Sequence, residues 1–305
     1  MSLCPWGRPL RPLCLLRPLR SFVPAPLSLC PFSATLFCMQ DTLLGKPTVY
    51  VEHYTPELLQ PIPRTLGRDK IGLKADLPFA GVDLWTGFEL SWLNPKGKPA
   101  IALADFSFPC TSPYLVESKS FKLYLNSFNQ TPFVSLAEVQ KTLERDLSNS
   151  AGSPVKVSLF SHEDPILIDQ FKGICLDNLD IETNTYTVNP AFLNVLAEKG
   201  DYTYYSHLLK SNCLATGQPD WGSLLIRIVG SKIDPEGLLK YIISFRNHIG
   251  FGEHCIEKIY CDILQRCNPS QLTVYARYTR RGGLDINPFR SNFEIPPENY
   301  RLSRQ

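Results

Sequence analysis

From Gly81 to Leu93 polar and apolar residues alternate for much of the run, Asn94-Pro95-Lys96-Gly97-Lys98 carries turn chemistry, and Ala100 to Phe106 returns. Period two on both sides of a turn predicts a β-hairpin. Beyond it lies the mixed apolar-polar segment Phe121–Phe128. Ser135 then starts a helix: Glu138 three residues on completes a capping box, and Leu136, Val139, Leu143 and Leu147 form the stripe expected to be buried. Val155–Phe160 alternates again as a strand. The order recurs after about Tyr205, with a strand at Leu224–Val229, an apolar run at Leu238–Phe245, a helix bearing Ile256, Ile259, Tyr260, Ile263 and Leu264 on one face, and a closing strand at Leu272–Tyr278. Even a short string echoes, Tyr124-Leu125-Asn126-Ser127-Phe128 against Tyr241-Ile242-Ile243-Ser244-Phe245. Matching order predicts a tandem pair of related α+β modules.

The rest of the chain divides around them. Residues 1–38 hold four arginines, four cysteines, seven prolines and no acid, a mix that keeps no helix and builds no core. Met39 precedes ordinary polar sequence, so translation is expected to start there, with 1–38 a disordered or wrongly assigned extension. Residues 39–78 read as an arm, 79–160 as the first module, 161–204 as an irregular connection and 205–305 as the second module.

Composition narrows the class. Of 305 residues, 44% are hydrophobic and 20% charged, enough for a sizeable core. Lysine and arginine number 31 against 29 acids; without Arg8, Arg11, Arg17 and Arg20 the balance becomes 27 − 29 = −2. No basic stripe asks for nucleic acid, and no apolar run is long enough for a membrane segment. The ten cysteines include no C-x-x-C pair, so they read as reduced thiols of a cytoplasmic protein with no metal.

Chemistry is expected between Ser211 and Ser223, where Cys213 and Asp220 stand seven positions apart in a stretch punctuated by Gly217 and Pro219. A loop there would expose the thiol beside an acid. A lone cysteine more often fills a core, and Asp220 alone would read as a cap ahead of Trp221-Gly222. Glu253 alone would be a first-turn helix acid, Glu117 a surface partner of Lys119, and Arg280-Arg281 a solvated turn. Gly250-Phe251-Gly252 lacks the strand-to-helix context of a Rossmann fingerprint.

Three strings together are more specific: Cys213 to Ser223, Glu117 to Asn129, and Tyr275-Ala276-Arg277-Tyr278-Thr279-Arg280-Arg281-Gly282-Gly283-Leu284-Asp285-Ile286-Asn287-Pro288. They closely resemble the long-chain NADPH-dependent nitrile reductases, the 7-cyano-7-deazaguanine reductases of tRNA queuosine biosynthesis, over roughly Leu43 to Gln305. The resemblance implies two tunnelling-fold modules, antiparallel sheets with helices packed on one face, closing into barrels in a homodimer. It implies Cys213 as nucleophile forming a thioimide, Asp220 as proton shuttle, and Glu253 as anchor of the deazapurine, with Val116, Glu117, Ser118 and position 252 around it. NADPH would lie on Ser118, Lys119, Arg281 and Gly282. No direct contact with nucleic acid is implied.

One position departs from the family's pattern. Where the family has histidine directly before the anchoring glutamate, this chain has Gly252, and Gly250 replaces an acid. Loss of that imidazole makes an impaired, deazapurine-binding homologue the alternative, with Gly252→His expected to raise kcat/KM. His254 would point about 200° away on a helix. A cyclohydrolase-like reading would need zinc ligands that the sequence does not supply.

Overall fold

The structure, a computed structural model, describes residues 50–74, 76–214 and 216–305. The extension 1–38 and the expected start at Met39 fall outside these. The predicted hairpin is β1 (Ala80–Leu93) and β2 (Pro99–Pro109), closed by Asn94, whose Oδ1 accepts the N–H groups of Lys96 and Lys98 at 2.9 and 3.0 Å. The segment after it is a helix, α1 (Ser118–Asn126), followed by α2 (Leu136–Ala151) and β3 (Lys156–Phe160). The second half runs β4 (Val195–Cys213), β5 (Pro219–Ile233), α3 (Pro235–Ser244), α4 (Gly252–Cys267), β6 (Gln271–Tyr278) and β7 (Leu284–Ser291).

The strands join in the order β3-β2-β1-β7-β6-β5-β4, each pair antiparallel. The fold is thus α+β with the long strands of both halves in a single large sheet: β7 bonds to β1 on one side and to β6 on the other, and carries the sheet from one half into the next. Strand β4 starts at Val195, inside the expected connection. Its first residues are exposed and lack alternation, which hid it. Strand β6, the predicted closing strand, is buried on both faces beyond Gln271. Helices cover one face; on the other, Phe171 and Leu302 pack on Tyr275 and Phe289. No helix among the described residues is long and apolar enough to cross a membrane.

Packing holds the helices. Ser135 accepts the Glu138 N–H as predicted, and Val139, Leu143 and Leu147 are fully buried. Each such side chain contributes about 1.5–3 kcal/mol, against a few tenths from helix propensity. Leu136 is the exception at 45% exposure, because it sits in the first turn, before the helix meets the sheet. The echoed pentapeptides are structurally equivalent. Tyr124 donates its hydroxyl to Asp146 on α2 and Tyr241 to Asp262 on α4, both at 2.7 Å, while Ser127 and Ser244 bond back to the carbonyls of Tyr124 and Tyr241 at 2.6 Å.

The arm straps the site. Pro61–Pro63 pairs with Tyr114–Val116, and Gln60 accepts the Glu117 N–H at 2.9 Å. Beyond it Arg64 and Arg68 enter a buried ionic network with Asp83, Glu257 and Arg290, in which Arg64 meets Asp83 at 2.6 Å and Arg68 and Arg290 meet Glu257 at 2.7 and 2.9 Å. Arg290 also pairs with Asp83 at 2.7 Å, so no carboxylate in the network is left with a single cation.

Candidate active site

Cys213 is the last residue of β4 and Asp220 the second of β5, in a hairpin where Ser211 faces Asp220 and Asn212 faces Pro219. The thiol therefore stands at a strand end and is half-buried, not displayed on a long loop. The hairpin closes tightly: Cys213 donates its N–H to Gln218 O at 2.8 Å and accepts that of Gly217 at 3.0 Å. Gly217 takes φ +66°, a left-handed turn that glycine adopts without strain. A two-residue strand, Ile249–Gly250, runs parallel to β4 with Gly250 beside Cys213, and so delivers the start of α4 to the thiol.

One cleft collects these pieces. Cys213, Asp220, Gly252 and Glu253 line it from the second half, with Val116, Glu117 and Ser118 facing them from the first. Glu117 is not a surface residue. It is buried and caps α1, its two carboxylate oxygens accepting the N–H groups of Lys119 and Ser120 at 2.8 and 2.7 Å. Arg281 lines the cleft, whereas Lys119 and Gly282 stand beside it without lining it. Gly282 lies against Lys122, whose Cδ would be 3.2 Å from an added Cβ.

Of the cleft residues that the sequence reading did not assign to the site, Lys122 and Tyr278 bear most on its chemistry. Lys122 stands one helical turn after Ser118, a spacing that would have marked it had Ser118–Asn126 been read as a helix. Tyr278 forms a wall with its buried ring, and its position at the end of an alternating strand gave no signal.

The electrostatics follow from burial. Glu253 is pushed up to about 7, first by loss of water and then by the nearby Asp83 carboxylate, against the pull of Arg64 and Arg290. Burial also raises Asp220 above the usual carboxylate range, although Arg281, Lys122 and Lys210 oppose it. Lys122 is lowered by burial and by Arg281. Arg281 Nη1 lies 3.0 Å from Asp220 Oδ1, yet no hydrogen bond of acceptable angle forms there, so the pair is ionic contact with a donor still unspent.

Gly252 lies against the Tyr278 ring. A Cβ added there would lie 3.0 Å from Tyr278 Cε2, so a side chain at this position needs the ring to shift by a few tenths of an ångström. His254 takes no part in the cleft. It is buried over Gly67, where an added Cβ would collide with the imidazole, and burial pushes it down to about 4.

NADPH fits the donors in and beside this cleft. The unspent guanidinium donor of Arg281 and the amines of Lys122 and Lys119 suit phosphates, and the left-handed Gly282 keeps their approach clear of a side chain. Among the described residues no cluster of His, Cys, Asp and Glu is arranged to hold a metal ion.

Comparisons with known proteins agree on one family. Residues 50–159 match the model described as "Nitrile reductase, 7-cyano-7-deazaguanine-reductase N-term", and residues 219–296 match "QueF-like protein". An NADPH-dependent 7-cyano-7-deazaguanine reductase of Paraburkholderia phytofirmans is 53% identical over 271 residues, 87% of this chain and 99% of that one. The reductase of the same name from Dechloromonas aromatica is 56% identical over 267 residues, covering 86% and 94%. That of Cupriavidus metallidurans is 54% identical over 269 residues, covering 86% and 97%.

Proposed function

The chain belongs to the NADPH-dependent 7-cyano-7-deazaguanine reductases, and from that premise we propose that it reduces the nitrile of 7-cyano-7-deazaguanine to the aminomethyl group through a thioimide on Cys213. The observation that carries this reading is the convergence of Cys213, Asp220, Glu117 and Glu253 on one cleft from both halves of the chain. A nitrile carbon is electrophilic but slow to accept hydride, and addition of Sγ across C≡N gives a more reactive C=N. Asp220 takes the thiol proton and delivers it to nitrogen. NADPH, when bound, supplies a hydride at each of two reductions. Asp220 gives a proton to nitrogen at each of them, and Cys213 leaves between the two.

Glu253 and Glu117 accept the N–H donors of the amino-pyrimidinone edge. Val116, Ser118 and Gly252 shape the pocket around it. Ser118, Lys119, Arg281 and Gly282 hold the cofactor. We read the repeated order of elements as two tunnelling-fold modules, 79–160 and 205–305, in a cytoplasmic homodimer that makes no contact with nucleic acid.

The test is cofactor consumed per nitrile under limiting substrate. Two NADPH oxidised per nitrile, lost in Cys213→Ala, is the expected result; no oxidation by the intact protein would overturn it. A second reading, a deazapurine binder that traps the nitrile without reducing it, draws on Gly252, which offers no proton donor. An adduct on Cys213 by intact mass without oxidation would favour that reading. Gly252→His would then be expected to restore turnover only if the Tyr278 ring yields, so it belongs in a pair with Gly252→His/Tyr278→Ala, which removes that ring.

A further inference from the structure

The proton chemistry proposed for Asp220 makes two opposite demands. It must be ionised to take the proton from Cys213, and protonated each time hydride is added to the C=N carbon. One carboxylate meets both only if its surroundings change between the steps. The groups facing Asp220 are Arg281 from the turn after β6, Lys122 from α1, Lys210 from β4, Cys213 at the hairpin end, Tyr278 from β6 and Cys255 from α4. Lys122 is half-buried on α1, and Lys210 is held by Asn212 Oδ1 and Arg246 O at 2.6 and 2.7 Å. Arg281 is different. Its side chain is 35% exposed, its Nη1 meets Asp220 in ionic contact only, and it lies in the string assigned to the cofactor.

We propose that Arg281 is shared: it pairs with Asp220 in the cofactor-free protein and turns to a cofactor phosphate on binding, so that Asp220 passes from proton acceptor to proton donor. This rests on the cofactor assignment proposed above. With Arg281 on Asp220, the carboxylate takes the proton as the C–S bond forms and passes it to nitrogen, with no net change. With Arg281 on the phosphate, Asp220 loses its one mobile counter-charge in a cleft where burial already favours the neutral acid, and takes up a proton from solvent. Each hydride addition then consumes that proton on nitrogen and leaves a carboxylate to be reprotonated.

Cofactor binding alone should therefore draw in protons, before any chemistry. The experiment is calorimetric titration of NADP+, which cannot reduce, into the whole protein in buffers of different ionisation enthalpy, from about pH 5 to about pH 8. Wild type is expected to take up more protons than Asp220→Asn. Its Kd should also weaken relative to that variant as pH rises, by up to about tenfold per pH unit within the window. Titration of the cofactor's own phosphate is common to both proteins and cancels in the difference, and NADP+ binding by Asp220→Asn reports an intact cleft. Arg281→Gln should bind NADP+ more weakly and lose the Asp220-dependent uptake. Equal proton counts for wild type and Asp220→Asn, with Arg281→Gln still weakened, would overturn the exchange and leave the cofactor assignment standing. Unweakened binding in Arg281→Gln would overturn both.

Discussion

At the far end of the β1–β2 hairpin, Leu93 bridges in parallel to Pro132 just ahead of α2; at the far end of β4–β5, Asn212 pairs in parallel with Ile249 just ahead of α4. The two corners share a frame and differ in what covers them. In the first half the turn Pro95–Lys98 and the cap Ser135 are exposed, and Asn94 spends its side chain on the turn itself. In the second half the same place carries Cys213 and Asp220, and Val116-Glu117-Ser118 from the other half closes over it, held by the arm. Water removed from the second corner is what moves Asp220 and Glu253 up and Lys122 down. A repeat supplies two equivalent corners, and the partner half decides which one becomes a site.

The largest effect expected from breaking this comparison is at the thiol: Cys213→Ala should abolish adduct formation and turnover while leaving the melting temperature close to wild type, read by intact mass and calorimetry. Next comes the ionic network beneath the second corner. Glu257→Gln leaves Arg68 and Arg290 without their shared carboxylate, and chemical denaturation should register a loss of about 3–5 kcal/mol.

Glu253 gives a pH signature that the first corner cannot. As an acceptor it must be ionised, so Kd for the nitrile should rise about tenfold per pH unit below about 7, and Glu253→Gln should flatten that slope. Because its folded value lies above its unfolded one, the wild type loses stability as pH rises through about 7. Glu253→Gln should thus gain relative stability, up to about 3 kcal/mol, between about pH 4.5 and pH 7.5. Nearly unchanged differences across that range would count against a desolvated carboxyl.

The echoed tyrosines sharpen the comparison at smaller scale. Asp146 keeps Tyr54 at 2.6 Å and Arg145 at 2.9 Å when Tyr124 is changed, whereas Asp262 keeps only Lys258 at 3.1 Å among the described residues. Tyr241→Phe should cost about 1–3 kcal/mol and Tyr124→Phe less, by paired denaturation curves. Smallest of all, Asn94→Ala should cost about 0.5–1 kcal/mol and leave kcat/KM unchanged.

Local pattern carried much of this molecule. Alternation marked β1, β2 and β3, the Ser135 cap started α2, and the apolar face of Ile256, Ile259, Tyr260 and Ile263 marked α4; these signals depend on neighbours within a turn or two of chain. Where the pattern weakened it misled: exposed Val195–Asp201 hid the start of β4, and α1 was not seen as a helix, which left Lys122 out of the site. The family resemblance pointed to Cys213, Asp220, Glu117, Glu253 and Arg281, and the cleft gathers all five, while Lys119 and Gly282 stand beside it.

What sequence alone determined, then, was the kind of element at most places and the side chains fit for chemistry, because both follow from covalent neighbours and residue type. Tertiary structure decided the rest. That β7 fuses two halves into one sheet, that Arg64 and Arg68 reach Glu257 across 193 and 189 positions, and that Tyr278 fills the space beside Gly252 all depend on distant segments meeting. Burial and opposing charge, which set whether Asp220 and Glu253 hold a proton, exist only once those segments have excluded water.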